Sequence, residues 1–137
     1  MIRSCLAILF VLIGASAGAE PRSEQATAFY YGPDIPWHTL SIYDFPVVEP
    51  DQASGVPDSF RDQRFYAYVS LGEVLASRPY FANLKPEWLL GENSDWGSHI
   101  FDLSSPGLRD FLLKQVIAPL WQQGYRGFFS IPWIATS

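Results

Sequence analysis

Short stretches rich in aromatic and β-branched residues recur along this chain, separated by helical or irregular ones, and that rhythm leaves few folds open. Residues 28–32 read as a first strand, stopped by Gly32-Pro33. Trp37, Leu40 and Tyr43 follow at a three-residue spacing that suits one or two helical turns. Residues 45–51 form a second strand, with Val47-Val48 at its centre and Glu49-Pro50-Asp51 at its end. Residues 64–74 form a third, a buried aromatic strand running into Ser70-Leu71-Gly72-Glu73. Residues 76–96 are broken by Pro79, Pro86, Gly91 and Asn93 and read as an irregular, aromatic-rich connection; residues 99–103 are briefly extended. Ser104 or Ser105 then caps a helix with Pro106 in its first turn and Leu108, Phe111, Leu112, Val116 and Leu120 on one face. Pro119 is expected to bend or shorten that helix. Gly124 stops it, and Gly127-Phe128-Phe129 opens a last strand. Strands alternating with helices in this way predict an α/β fold built from parallel βαβ units.

The first 19 residues stand apart from that core. Arg3 gives a positive start, residues 5–14 are apolar, and Ala17 and Ala19 supply the small residues of a cleavage site before Glu20. Residues 1–19 are therefore expected to be a secretory signal, with 20–27 a flexible lead-in, and the location to be secreted or periplasmic. The only cysteine, Cys5, leaves with the signal, which excludes disulfides and thiolate chemistry from the mature chain. Losing Arg3 also leaves eight basic residues against fourteen acidic ones. No basic patch tracks a phosphate backbone, so nucleic acid is not an expected partner. Nothing after residue 20 is apolar for long enough to anchor in a membrane.

Among groups able to do chemistry, the carboxylates are best placed. No glycine fingerprint of a dinucleotide or P-loop site accompanies the strands, so no cofactor is expected. His38 and His99 lack metal-ligand spacing, and no metal site is expected. No serine lies in a Gly-x-Ser-x-Gly elbow. Asp34, Asp51 and Glu73 follow the first, second and third strands, and neighbouring strands lie about 4.8 Å apart, so groups at one end can converge. Glycoside hydrolysis needs such convergence, one carboxyl protonating the leaving oxygen while another attacks or activates water. A solvated loop glutamate remains the plainer alternative for Glu73. Most of the aromatics are needed for the core; Tyr31, at a strand end, is the one expected to face a sugar. Tyr31, Asp51 and Glu73 are thus the candidate substrate-binding residues.

Five motifs in one order carry a resemblance: residues 29–32 (Phe-Tyr-Tyr-Gly), 47–51 (Val-Val-Glu-Pro-Asp), 66–74 (Tyr-Ala-Tyr-Val-Ser-Leu-Gly-Glu-Val), the Trp88 to Trp96 loop, and 124–129 (Gly-Tyr-Arg-Gly-Phe-Phe). Together, residues 28–129 resemble the N-terminal part of the TIM-barrel glycoside hydrolases known as endo-α-1,4-polygalactosaminidases, and within them the hydrolase domain of PelA-like proteins. The resemblance implies a (β/α)8 barrel, of which this chain is about the first half, and an aminosugar (galactosamine-containing) exopolysaccharide as substrate.

The tail, residues 130–137, departs from the family pattern. After Gly-Phe-Phe the family continues Leu-Asp-Thr-Leu-Asp-Ser-Tyr, its first aspartate lying at a strand end in the active site. Here the chain reads Ser130-Ile131-Pro132-Trp133-Ile134-Ala135-Thr136-Ser137. Codons that can encode these residues, read one base earlier, spell the family sequence, so the expectation is a one-base frameshift after Phe129; resequencing the locus tests it. With that aspartate missing, no catalytic residue is assigned. A barrel needs about 250 residues, and the mature chain has about 118. The expectation is a fragment of a secreted glycoside hydrolase that folds poorly, exposes an apolar edge strand and hydrolyses nothing by itself. The alternative is a small secreted saccharide-binding module without catalysis.

Overall fold

The computed structural model describes residues 25–131. The signal-like segment, the start of the lead-in and the tail beyond Ile131 lie outside the described residues. Four strands form a parallel sheet in chain order: β1 (Thr27–Tyr30), β2 (Phe45–Val48), β3 (Tyr66–Tyr68) and, after three intervening strands and a helical run, β7 (Gly127–Phe129). The register aligns Phe29 with Val47, Val47 with Tyr66, and Tyr66 with Gly127. Side chains alternate across a strand, so these residues share one face. Tyr30, Val48, Ala67 and Phe128 take the other, where they join the main core.

The sheet is curled. β1 and β7 are three strand spacings apart, about 14 Å if flat, yet the rings of Phe29 and Phe129 meet edge to face at 4.9 Å. Four sequential parallel strands curved around one face are the start of a (β/α)8 barrel. Among the described residues, β1 and β7 each have a strand neighbour on one side only. Gly127 permits the close packing inside the curve: a Cβ there would come within 2.4 Å of the Tyr66 ring.

The convex face is covered by one long helical run. Ser105 is its N-cap, the Oγ accepting from the Leu108 N–H, and Pro106 occupies the first turn. α2 (Pro106–Phe111) passes through a π-helical turn (Leu112–Ile117) into α3 (Ala118–Gln122). The expectation that Pro119 shortens the helix is not met. The wider i→i+5 turn just before Pro119 absorbs its missing donor. That turn also keeps Leu108, Leu112, Val116 and Leu120, each four residues apart, buried in one core; in a pure α-helix such a series drifts around the axis. Gly124, at φ 101°, ends the run in the left-handed conformation.

Between β3 and this helix lies a second sheet that the sequence did not announce. β4 (Glu73–Leu75), β5 (Leu89–Asn93) and β6 (Ser98–Phe101) pair antiparallel in the order β4-β6-β5. Two expectations are corrected here. The stretch 64–74 is two strands in two sheets: the Val69 N–H still donates to the Phe129 carbonyl, whereas the Gly72 carbonyl already accepts from Phe101. Residues 89–93 are a strand, not irregular chain. Leu-Leu-Gly-Glu-Asn has little intrinsic β preference, and pairing with β6, interrupted by a register shift between Leu89 and Gly91, holds it extended.

Candidate active-site cleft

The carboxyl ends of the parallel strands gather a set of polar groups. The Glu49 N–H donates to the Tyr30 carbonyl, so β2 carries this residue into the mouth of the sheet. The Glu49 side chain caps a 3-10 turn (Pro50–Gln52), accepting from the Asp51 N–H at 3.3 Å. Arg78, reached by a turn after β4, forks onto both acids. Nη1 donates to Glu49 Oε1 at 2.5 Å and to Asp51 Oδ2 at 2.8 Å, and Nη2 donates to Glu49 Oε2 at 2.9 Å. The Arg78 and Glu49 side chains are 15% and 12% exposed, against 35% for Asp51. Burial opposes the charge on Arg78, but the hydrogen bonds and charges of Glu49 and Asp51 outweigh it and hold its pKa above the ordinary value.

Aromatic rings extend this cluster. The Arg78 guanidinium lies 6.0 Å from the Tyr68 ring centroid, and Tyr68 meets Tyr31 edge to face at 5.4 Å. Burial, then the neighbouring Tyr68 and Glu49, push the Tyr31 hydroxyl pKa up.

Glu73 sits elsewhere than a loop. It is the first residue of β4 and is 9% exposed. Ser98 Oγ donates to its Oε2 in a short bond, and Asn93 Nδ2 donates to Oε1 at 3.0 Å. Both donors come from the β5–β6 hairpin. A solvated loop glutamate is therefore excluded: the carboxylate is buried, and each oxygen has a partner.

Two adjoining cavities open here. One, of 420 Å³, is lined by Asp51, Tyr68, Ser70, Arg78, Tyr80 and Gln123 among others. The second, of 470 Å³, is lined by Tyr68, Ser70, Glu73, Arg78, Trp96 and Ile131 among others. Both volumes suit a small-molecule site. Tyr68, Ser70 and Arg78 form the wall between them. Of the three residues singled out from the sequence, Asp51 lines the first cavity and Glu73 the second, while Tyr31 lines neither and touches the site through Tyr68. Ile131 occupies the place where the resemblance puts an aspartate. Asp34, after β1, joins neither cavity.

Glu49 and Trp96 stand in motifs noted from the sequence but were not among the candidate site residues, and Arg78 stood in none. Strand parity marks Glu49, two residues past inward-facing Val47. No local signal marks Arg78, whose partners lie 27 and 29 residues away. The histidines are occupied otherwise, His38 against the Phe60 ring and His99 near Glu92. Among the described residues, no three His, Cys, Asp or Glu side chains cluster to hold a metal, and no helix is long and apolar enough to cross a membrane.

Residues 15–130 match glycoside-hydrolase family GH114. The glycoside hydrolase domain of PelA from Pseudomonas aeruginosa superposes with a TM-score of 0.62 at 28% identity, covering 77% of this chain and 43% of that one. Ega3 from Aspergillus fumigatus, solved in complex with galactosamine, superposes at 0.60 over 85% of this chain and 47% of its own. At 17% identity that second likeness is one of fold alone. No curated protein matches the sequence. The chain spans less than half the length of these solved structures, and its four-stranded parallel sheet is a partial barrel.

Proposed function

The chain belongs to glycoside-hydrolase family GH114, and on that premise we propose that residues 28–129 form the substrate-binding wall of a hydrolase acting on a galactosamine-containing polysaccharide. The observation that carries this reading is the charge balance at the two cavities: Asp51 lines one and Glu73 the other, and Glu49 pairs with Arg78 behind them, three carboxylates to a single guanidinium. A polymer with free amines is cationic near neutral pH and complements that surplus. In this reading Asp51 accepts hydrogen bonds from the sugar and Tyr31 and Tyr68 offer ring surface. Arg78 fixes the direction of the two β2-end carboxylates. The signal-like pattern of residues 1–19 supports a secreted or periplasmic place of action.

Chemistry is assigned to no residue of this wall. Both oxygens of Glu49 and of Glu73 are engaged by neighbouring side chains, which suits binding better than proton transfer or attack. That same engagement favours a second reading, in which the chain is a saccharide-binding module with no turnover. Titration calorimetry with de-N-acetylated galactosamine oligomers, paired with an assay for new reducing ends, tests the proposal. Binding that is lost in Asp51→Ala, with no reducing ends released by the chain alone, is the expected result. No binding of the oligomers refutes it.

A further inference from the structure

The second sheet is separate from the parallel one, and its construction is unusual in one respect. The turn at residues 94–97 is flanked by Asn93 and Ser98, which face each other in the β5–β6 register. Both donate to one buried carboxylate, that of Glu73. The amide of Asn93 works in both directions: Nδ2 reaches Glu73 while Oδ1 accepts from the Asp95 N–H at 3.2 Å. The Trp96 N–H closes the turn on the Asn93 carbonyl at 3.3 Å. Gly97, at φ 62°, takes the left-handed conformation needed to bring the chain back into β6.

The residue held by this arrangement is Trp96. It is 65% exposed and lines the 470 Å³ cavity beside Tyr68, Ser70 and Arg78. An exposed indole on a loose loop would lose much of its contact energy in ordering; one fixed in advance loses little. A flat aromatic surface beside hydroxyl and guanidinium donors fits a sugar ring, whose faces carry C–H groups and whose rim carries hydroxyls. We propose that Glu73 is a positioning residue that pins the β5–β6 hairpin, and that Trp96 is a stacking platform determining which saccharide sits in the second cavity. The proposal rests on the saccharide reading above and deepens it by assigning a subsite. It also gives Glu73 a role that needs no proton transfer.

The test uses the full chain and a de-N-acetylated galactosamine tetramer, with 5-fluorotryptophan labelling and ¹⁹F NMR beside calorimetry. Loss of one resonance in Trp96→Phe assigns the Trp96 signal. In the wild-type chain the tetramer should shift that signal; Trp96→Ala should weaken binding about tenfold, the scale of losing a buried aromatic anchor, while Trp96→Phe keeps most of it. Ser98→Ala, a milder change than removing Glu73, should broaden the Trp96 signal and weaken binding severalfold. If the tetramer binds but Trp96→Ala binds as tightly, or the Trp96 signal does not move, the platform is refuted and the saccharide reading stands. If the tetramer does not bind at all, both fall together.

Discussion

Tyr125 offers a sharp stability test beneath the cleft. Its side chain is fully buried, 0% exposed, and among the described residues its hydroxyl has no hydrogen-bond partner. A buried, unpaired hydroxyl costs about 1–3 kcal/mol of desolvation. Tyr125→Phe removes that cost and keeps the ring packing, at the expense of a void the size of one oxygen. A net gain of about 1 kcal/mol is expected at pH 7, which for a domain of this size raises Tm by about 3–5 °C. Burial, then the charges of Glu49 and Asp51, push the phenol from its ordinary 10.0 up to about 12. The folded state thus favours the protonated form, so its contribution is whole below pH 10 and drains away as pH rises towards 12. The limit of that loss is about 3 kcal/mol. Phenylalanine cannot ionise, so the advantage of the variant should widen between pH 10 and 12. Urea unfolding at pH 7 and in that alkaline window measures both effects. A loss of 1 kcal/mol or more at pH 7, with no widening at high pH, would show that the hydroxyl has a partner and refute the reasoning.

Other outcomes follow from the same contacts. Arg78→Met leaves Glu49 and Asp51 facing each other across a mostly buried site, and should cost about 3 kcal/mol in urea unfolding; Arg78→Lys keeps the charge but loses the fork and should recover only part. Gly127→Ala drives a methyl into the Tyr66 ring, 2.4 Å away, and should destabilise by about 1–3 kcal/mol by thermal or urea unfolding; a neutral result would mean that the curled sheet is less tightly packed there than its geometry states. Because the cleft carries three carboxylates to one guanidinium, affinity for de-N-acetylated oligomers should fall as salt rises from 0.05 to about 0.5 M. Fully N-acetylated oligomers should bind more weakly and show little salt dependence in the same titration.

What could be read from the sequence was what local chemistry determines. Ser104-Ser105-Pro106 announced the helix start, without deciding which serine caps it, and Gly124 its end, because capping and left-handed backbone leave residue-specific marks. β1, β2 and β7 were legible through aromatic and β-branched runs with glycine or proline at their borders. β5 was not, since Leu89-Leu90-Gly91-Glu92-Asn93 becomes a strand only through β6. The segment 64–74 misled because it was read as one strand, whereas the small residues Ser70 and Gly72 mark where the chain leaves one sheet for the other. The candidate site was half legible. Asp51 and Glu73 were found because acids at strand ends attract notice, whereas the partner that orients Asp51 and the hairpin that engages Glu73 are contacts between distant segments. Pro119 was expected to bend or shorten the helix because the π-helical turn that accommodates it has no signature in single residues.

In this reading the carboxyl ends of β1, β2 and β3 form a saccharide site. Backbone amide shifts of the ¹⁵N-labelled chain, followed while the de-N-acetylated galactosamine tetramer is added, test it directly. The expected result is saturable change clustered at Tyr31, Glu49, Asp51, Tyr68, Ser70, Glu73, Arg78 and Trp96, with the convex helix from Leu108 to Leu120 unmoved. Saturable changes centred on that helix, or none anywhere at millimolar tetramer, would contradict it.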